Sequence, residues 1–239
     1  MRKIYIILLV LLISTSVLAQ NKYNSYETPG KFGVEVTIGP SFPYGDFGRK
    51  DPYNESSGFA IVGYKAGANL SYHLIDVVDI NLMGIYNSNG TNMSELENLL
   101  ASKYGGAWTA ESRTWSTYGG FLGFGLSYPY TKKLSVGFRA YSGILNSKAP
   151  EVKISSGNSY YKQDEKTASS FSYIISINGK YQLTRNLYWI TALEFMGSSA
   201  NFQDVTTTIV SGETNKVTTG SFSQDMRTFL VNTGLKLVF

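Results

Sequence analysis

The sequence predicts an all-β fold, an eight-stranded antiparallel up-and-down transmembrane β-barrel. Three observations predict it. Eight segments alternate apolar and polar residues with period two, their connections are short at one end and long at the other, and matching aromatics close the segments at the short end. Composition agrees, since 18 Tyr, 13 Phe and 24 Gly accompany only 16% charged residues. That balance suits a sheet with one greasy face better than a water-soluble helical protein.

Period two places alternate residues on opposite faces of a strand. In the first predicted strand Val34, Val36, Ile38, Pro40 and Phe42 share one face, and Glu35, Thr37, Gly39 and Ser41 the other. The second sets Val62, Tyr64, Ala66, Ala68, Leu70 and Tyr72 against Gly63, Lys65, Gly67, Asn69 and Ser71. Ile80, Leu82, Gly84 and Tyr86 mark a third; Tyr118, Gly120, Leu122, Phe124, Leu126 and Tyr128 mark a fourth, backed by glycine and serine. In the fifth, Leu134, Val136, Phe138 and Ala140 face away from Ser135, Gly137, Arg139 and Tyr141. Phe171, Tyr173, Ile175, Ile177, Gly179 and Tyr181 form one side of the sixth, with Ser176, Asn178 and Lys180 on the other. Trp189, Thr191, Leu193 and Phe195 oppose Ile190, Ala192 and Glu194 in the seventh, and Phe229, Val231, Thr233, Leu235, Leu237 and Phe239 oppose Leu230, Asn232, Gly234, Lys236 and Val238 in the eighth.

The links after the even strands are brief, over residues 74–78, 129–133 and 184–186. Those after the odd strands are long and polar, over 43–57, 87–113, 147–167 and 198–222. A transmembrane barrel sorts its connections this way, with the long loops outside the cell; a soluble sandwich has no reason to. A lipocalin-like soluble barrel shares the period with the opposite sense, apolar face inward. Tyr72, Tyr128, Tyr181 and Phe239 argue against it, because amphipathic rings at one height read as a periplasmic girdle at the headgroup level. Phe42, Tyr86, Tyr118 and Phe171 would form the outer girdle. The small residues of the polar face suit the crowded interior of an eight-stranded barrel.

The first residues set the expected compartment. Arg2 and Lys3 precede an unbroken apolar run from Ile4 to Ile13, and Val17-Leu18-Ala19 fits a cleavage site between Ala19 and Gln20. The run is too short for a comfortable transmembrane helix. The expected organisation is therefore a signal peptide over residues 1–19, a short periplasmic segment over 20–31 and an outer-membrane barrel over 32–239. The chain has no cysteine, which excludes a lipoprotein, a disulfide framework and thiolate chemistry. Loss of Arg2 and Lys3 lowers the formal charge from +4 to +2, and no basic stripe suggests a nucleic-acid partner.

The leader, the eight amphipathic strands and the terminal Gly234-Leu235-Lys236-Leu237-Val238-Phe239 resemble the outer-membrane β-barrel superfamily of OmpA and OmpX. More narrowly, Gly39-Pro40-Ser41-Phe42-Pro43-Tyr44-Gly45-Asp46-Phe47 and Tyr128-Pro129-Tyr130-Thr131-Lys132-Lys133-Leu134 resemble the porin-like barrel domain common in Bacteroidetes. The resemblance implies a bacterial outer-membrane location, contact with outer-membrane lipid and lipopolysaccharide, and delivery by the barrel-insertion machinery, with Phe239 as its recognition element. It implies no ligand site. Nothing here matches the peptidoglycan-binding domain of full-length OmpA, so cell-wall anchoring is not expected.

Glu35, Lys65, Arg139, Lys180, Glu194 and Lys236 all fall on the predicted lumen face. Charges there must be paired or hydrated, so an interior network is expected in which Glu35 and Glu194 are each held by a basic residue. Such a network either packs the lumen or switches partners to admit small ions. Enzymatic barrels generally use a His base. The one His, His73, falls at the short-turn end, away from external substrates, and has no second His at ligand spacing. No enzyme, cofactor or metal site is expected. Ser94-Glu95-Leu96-Glu97 reads as an S-x-x-E capping box for a short helix from about Glu95 to Tyr104, with Leu96, Leu99 and Leu100 on one side. The charges from Lys162 to Lys166 read as a solvated tip. The expected role is structural or interactive, with long extracellular loops and a narrow filled lumen. The alternative is a small-solute pore or an accessory part of a transport or secretion complex with an envelope protein partner.

Overall fold

The computed structural model describes residues 31–51, 54, 56–75 and 77–239. The expected leader, its cleavage site and nearly all of the 20–31 segment lie outside the described residues. In chain order the elements are β1 (Phe32–Tyr44), β2 (Ala60–Ile75), β3 (Val78–Thr91), α1 (Met93–Tyr104), β4 (Thr109–Ser112), β5 (Trp115–Pro129), β6 (Leu134–Ala149), β7 (Val152–Ser156), β8 (Ser159–Gln163), β9 (Lys166–Gln182), β10 (Leu187–Ser211) and β11 (Thr214–Val238).

Eight of these strands form a closed antiparallel ring in the order β1-β2-β3-β5-β6-β9-β10-β11, and β11 returns to pair with β1. Each neighbour in the ring is the next long strand in the chain, the up-and-down pattern. The expected alternation is realised in three dimensions: along β1, Val34, Val36 and Ile38 are exposed while Glu35, Thr37 and Ser41 are buried. The barrel is thus inside-out for water. Leu122, Ile177 and Phe171 are 63%, 58% and 66% exposed, whereas Lys65, Asn81 and Lys236 are no more than 1% exposed. A continuous apolar belt of this kind is far larger than the patches that water-soluble monomers tolerate.

Tyr72, Tyr128, Tyr181 and Phe239 are all exposed at the short-turn end, where Phe32 packs on Tyr72 with ring centroids 5.0 Å apart. Phe42, Tyr86, Tyr118 and Phe171 are exposed toward the other end. The short turns are locally encoded. Thr131 Oγ1 accepts from the Leu134 amide at 3.0 Å, and Thr184 Oγ1 accepts from the Leu187 amide at 3.2 Å, so a threonine begins each of these two turns in the same way.

The long connections depart from the sequence expectation. Residues 198–222 do not form a loop; β10 and β11 run on as a ribbon, each strand 25 residues long. A register shift between Phe202 and Val205, with Asp204 at φ 53°, bends the ribbon. Both faces of its far end meet solvent, so no apolar-polar contrast marks it in the sequence. The β7–β8 hairpin in the third connection pairs β8 to β10 and β7 to β4, extending the sheet outside the ring. α1 forms, but Asn92 caps it rather than Ser94, which lies inside the helix. Asn92 Oδ1 accepts from the Glu95 amide at 3.3 Å. Glu97 instead accepts from the Ala110 amide at 2.7 Å and ties the helix to β4.

The Lys162 to Lys166 cluster is a staple rather than a free tip. Lys162 contacts Glu151 at 3.0 Å and Asp164 at 2.9 Å, and Glu165 contacts Lys148 at 2.8 Å. The hydrogen bond from Lys148 holds the Glu165 carboxyl below its ordinary value, while bonds to Asp164 and Glu151 raise the Lys162 ammonium. The stabilisation from Glu165 is therefore present above its unfolded pKa and is lost as pH falls through the folded one. That from Lys162 is present below its unfolded pKa and is lost as pH rises through the folded one. Amide exchange in residues 152–163 should accelerate at both acidic and strongly alkaline pH before exchange in the ring strands does. Equal acceleration in ring and hairpin would contradict this.

Candidate functional site

The site with the most charge is the lumen. β1 and β6 face each other across the ring, each four strands from the other in either direction. Arg139 on β6 reaches across to Glu35 on β1 with two parallel bonds, Nη1 to Oε1 at 2.9 Å and Nη2 to Oε2 at 2.8 Å. This forked geometry fixes both groups and satisfies both carboxylate oxygens. Lys65 on β2 pairs with Glu194 on β10, spanning β1 and β11. Both pairs are buried. Neither joins neighbouring strands, so each ties the ring across its width.

The other predicted lumen residues also point inward. Lys180 donates to Ser127 Oγ at 2.6 Å across β6, and Lys236 Nζ lies 3.5 Å from His73 Nε2 across β1. All six predicted charges are thus buried, and four of them form the two ion pairs. Sequence reasoning missed a seventh, Asp79, which is 1% exposed. Its signal was present, because it precedes Ile80 in the alternation, but the predicted strand began at Ile80. The Asp79 carboxylate lies where a side chain on Gly125 would stand, so that glycine is needed for close approach.

The inward face is not small and polar throughout. Midway along the lumen Met83, Ile85, Phe121, Leu145, Ile174 and Leu230 pack into an apolar layer. At the long-loop end a second cluster closes the mouth. Phe47 meets Trp115 edge-on at 5.6 Å, Trp115 meets Phe202 at 6.0 Å, and Phe202 stacks on Phe222 at 4.9 Å. Trp115 Nε1 donates to the Gly58 carbonyl at 3.0 Å, which holds the first long connection down on the cap. Met83 and Ile85 were hidden because they extend an apolar run whose other members, Ile80 and Leu82, face outward.

From the short-turn end outward, the lumen is therefore lined first by polar and ionic groups, including the Glu35–Arg139 pair. The apolar cluster follows, at whose height the Lys65–Glu194 pair also lies, then polar residues and last the aromatic cap. Among the described residues no group of three or more His, Cys, Asp or Glu side chains could hold a metal ion. His73 is half-buried beside Lys236 at the short-turn end.

No family model matches the chain, and no curated protein sequence matches it. Solved structures do. Neisserial surface protein A gives a TM-score of 0.49 at 10% identity, covering 89% of this chain and 100% of that one. A major outer membrane protein from Thermus thermophilus gives 0.48 at 11%, covering 88% and 99%. The outer membrane protein OprG from Pseudomonas aeruginosa gives 0.48 at 11%, covering 88% and 97%.

Proposed function

We propose that the chain is an integral β-barrel of the bacterial outer membrane with a structural or interaction role, and that it is neither an open pore nor an enzyme. The observation that carries this reading is the lumen, filled by side chains from the ionic end through the apolar layer to the aromatic cap. A porin keeps a water-filled channel, whereas a hydrophobic constriction resists ion passage by excluding water. The outward apolar belt supports the membrane location, since hydrocarbon is the solvent that such a surface requires.

The same reading includes export by a signal peptide cut between Ala19 and Gln20, recognition of Phe239 by the barrel-insertion machinery, and contact of the girdles with outer-membrane lipid and lipopolysaccharide. The narrower likeness, to the porin-like domain of Bacteroidetes, belongs to this proposal too. One observation favours a second role, as the accessory part of a larger envelope complex. The β1 pairing of β11 ends at Arg227, so among the described residues the ribbon from Thr214 to Met226 shows an open edge on the side away from β10. Open edges accept further strands.

In planar bilayers, wild type and Glu194→Gln should both give no channel events. Discrete openings in wild type would overturn the closed-lumen reading. Crosslinking from the outer connections in intact cells separates the two roles, because a stable heteromeric partner favours the accessory one.

A further inference from the structure

Outside the ring, β4 and β7 pair antiparallel with Glu111 opposite Lys153. The Arg113 amide carries the register one step further by donating to the Glu151 carbonyl at 3.4 Å. Four charged side chains of alternating sign therefore stand together on this strand pair, and with Ser112 they line a cleft of about 310 Å³. That volume is at the lower end for small-molecule sites. Directly opposed residues of an antiparallel pair approach within about 5.5 Å at Cβ, so Glu111 and Lys153 are near enough to close the cleft between them. They leave it open. Glu111 makes no ion pair among the described residues, and Lys153 lies over the Tyr160 ring, 5.7 Å from its centroid. The other two charges are engaged unequally. Lys162 holds Glu151 at 3.0 Å, whereas Arg113 stands 3.6 Å from Glu165, a carboxylate that Lys148 already binds at 2.8 Å.

We propose that this cleft binds a short acidic peptide with a free amino terminus, of the size of glycylglutamate. The lining keeps one free carboxylate, one ammonium and one loosely held guanidinium. The peptide ammonium answers Glu111, and its two carboxylates answer Arg113 and Lys153. A lone anion meets repulsion from Glu111 and Glu151, and a lone cation from Arg113 and Lys153. A neutral sugar leaves all of these charges unanswered. The backbone that carries them is held in place. Thr91 Oγ1 and Ser112 Oγ both donate to the Arg113 carbonyl at 3.1 Å, and Glu97 accepts from the Ala110 amide. A site built in advance binds at a smaller ordering cost. Capture of a small zwitterion among the outer connections goes beyond the structural role proposed above and does not depend on it.

Ligand-observed NMR titration of the folded, full-length barrel in a non-ionic detergent at low salt tests the cleft. Its charges are largely exposed, so glycylglutamate should bind modestly, with a Kd of about 1 mM. N-acetyl-glycylglutamate lacks the ammonium and glycylglutamine lacks one carboxylate. Each should bind about threefold to fivefold more weakly, the factor expected for one exposed charge contact. Glu111→Gln keeps the side-chain size at an exposed position. It should weaken glycylglutamate by the same factor and leave the acetylated peptide no weaker. Lys153→Gln should also weaken glycylglutamate. No saturable binding of glycylglutamate up to about 10 mM, or equal affinity for the three peptides, would overturn the assignment. So would a Glu111→Gln loss as large for the acetylated peptide as for the free one. Bilayer recordings test the closed lumen separately, so failure of one reading leaves the other standing.

Discussion

Arg139→Met should destabilise the refolded barrel by about 3–5 kcal/mol, the loss typical of breaking a buried ion pair from one side. The substitution keeps much of the side-chain volume but leaves the Glu35 carboxylate, 3% exposed, without its two guanidinium bonds. Lys236 stands opposite Glu35 in the β1–β11 register and compensates in part, so the loss should fall toward the lower end. Glu35→Gln combined with Arg139→Met should recover most of it, because the stranded charge is then gone. Urea unfolding in lipid vesicles, run on both single variants and the double, gives the coupling between the two groups. A single-variant loss under about 1 kcal/mol would mean that the pair is solvated and not a buried tie.

Leu122→Arg should cost about 2–4 kcal/mol in the same assay, the penalty for a basic residue on the lipid face of a barrel near the midplane. Leu122 is outward, 63% exposed, and lies midway along β5 between Leu82 of β3 and Ser142 of β6. Tyr128→Arg, at the short-turn girdle on the same strand, should cost no more than about 1 kcal/mol, because the guanidinium there reaches the headgroups. In water an exposed leucine can become arginine for about 0.5 kcal/mol or less. The contrast between the two positions therefore reports which solvent surrounds the ring. Equal, small effects at both would be incompatible with a membrane setting.

The eight ring strands were legible because each stands between two unlike environments, an apolar exterior and a crowded polar lumen. That contrast writes period two into residues such as Val34 to Ser41. Where it vanishes, so does the signal. The far end of the β10–β11 ribbon and the β7–β8 hairpin have solvent on both sides, and their threonines, lysines and tyrosines read as loop. The identity of the lumen charges was legible for the same reason as the strands, but their pairing was not. Arg139 meets Glu35, and Lys65 meets Glu194, across the ring, a relation set by strand tilt and barrel diameter and not by any spacing along the chain. Asn92 displaced Ser94 as the helix cap because a cap is decided by where the backbone turns, and both residue types can serve.

The two cross-lumen ties also constrain the order of assembly. Their partners lie 104 and 129 residues apart in the chain, and each tie spans the lumen, so each needs the sheet to curl round before its partners meet. Bringing such distant segments together carries a loop-closure cost before any reward. Until the sheet has curled far enough for those partners to meet, four charged groups lack their counter-ions. Curling of the sheet and burial of those charges are therefore coupled steps.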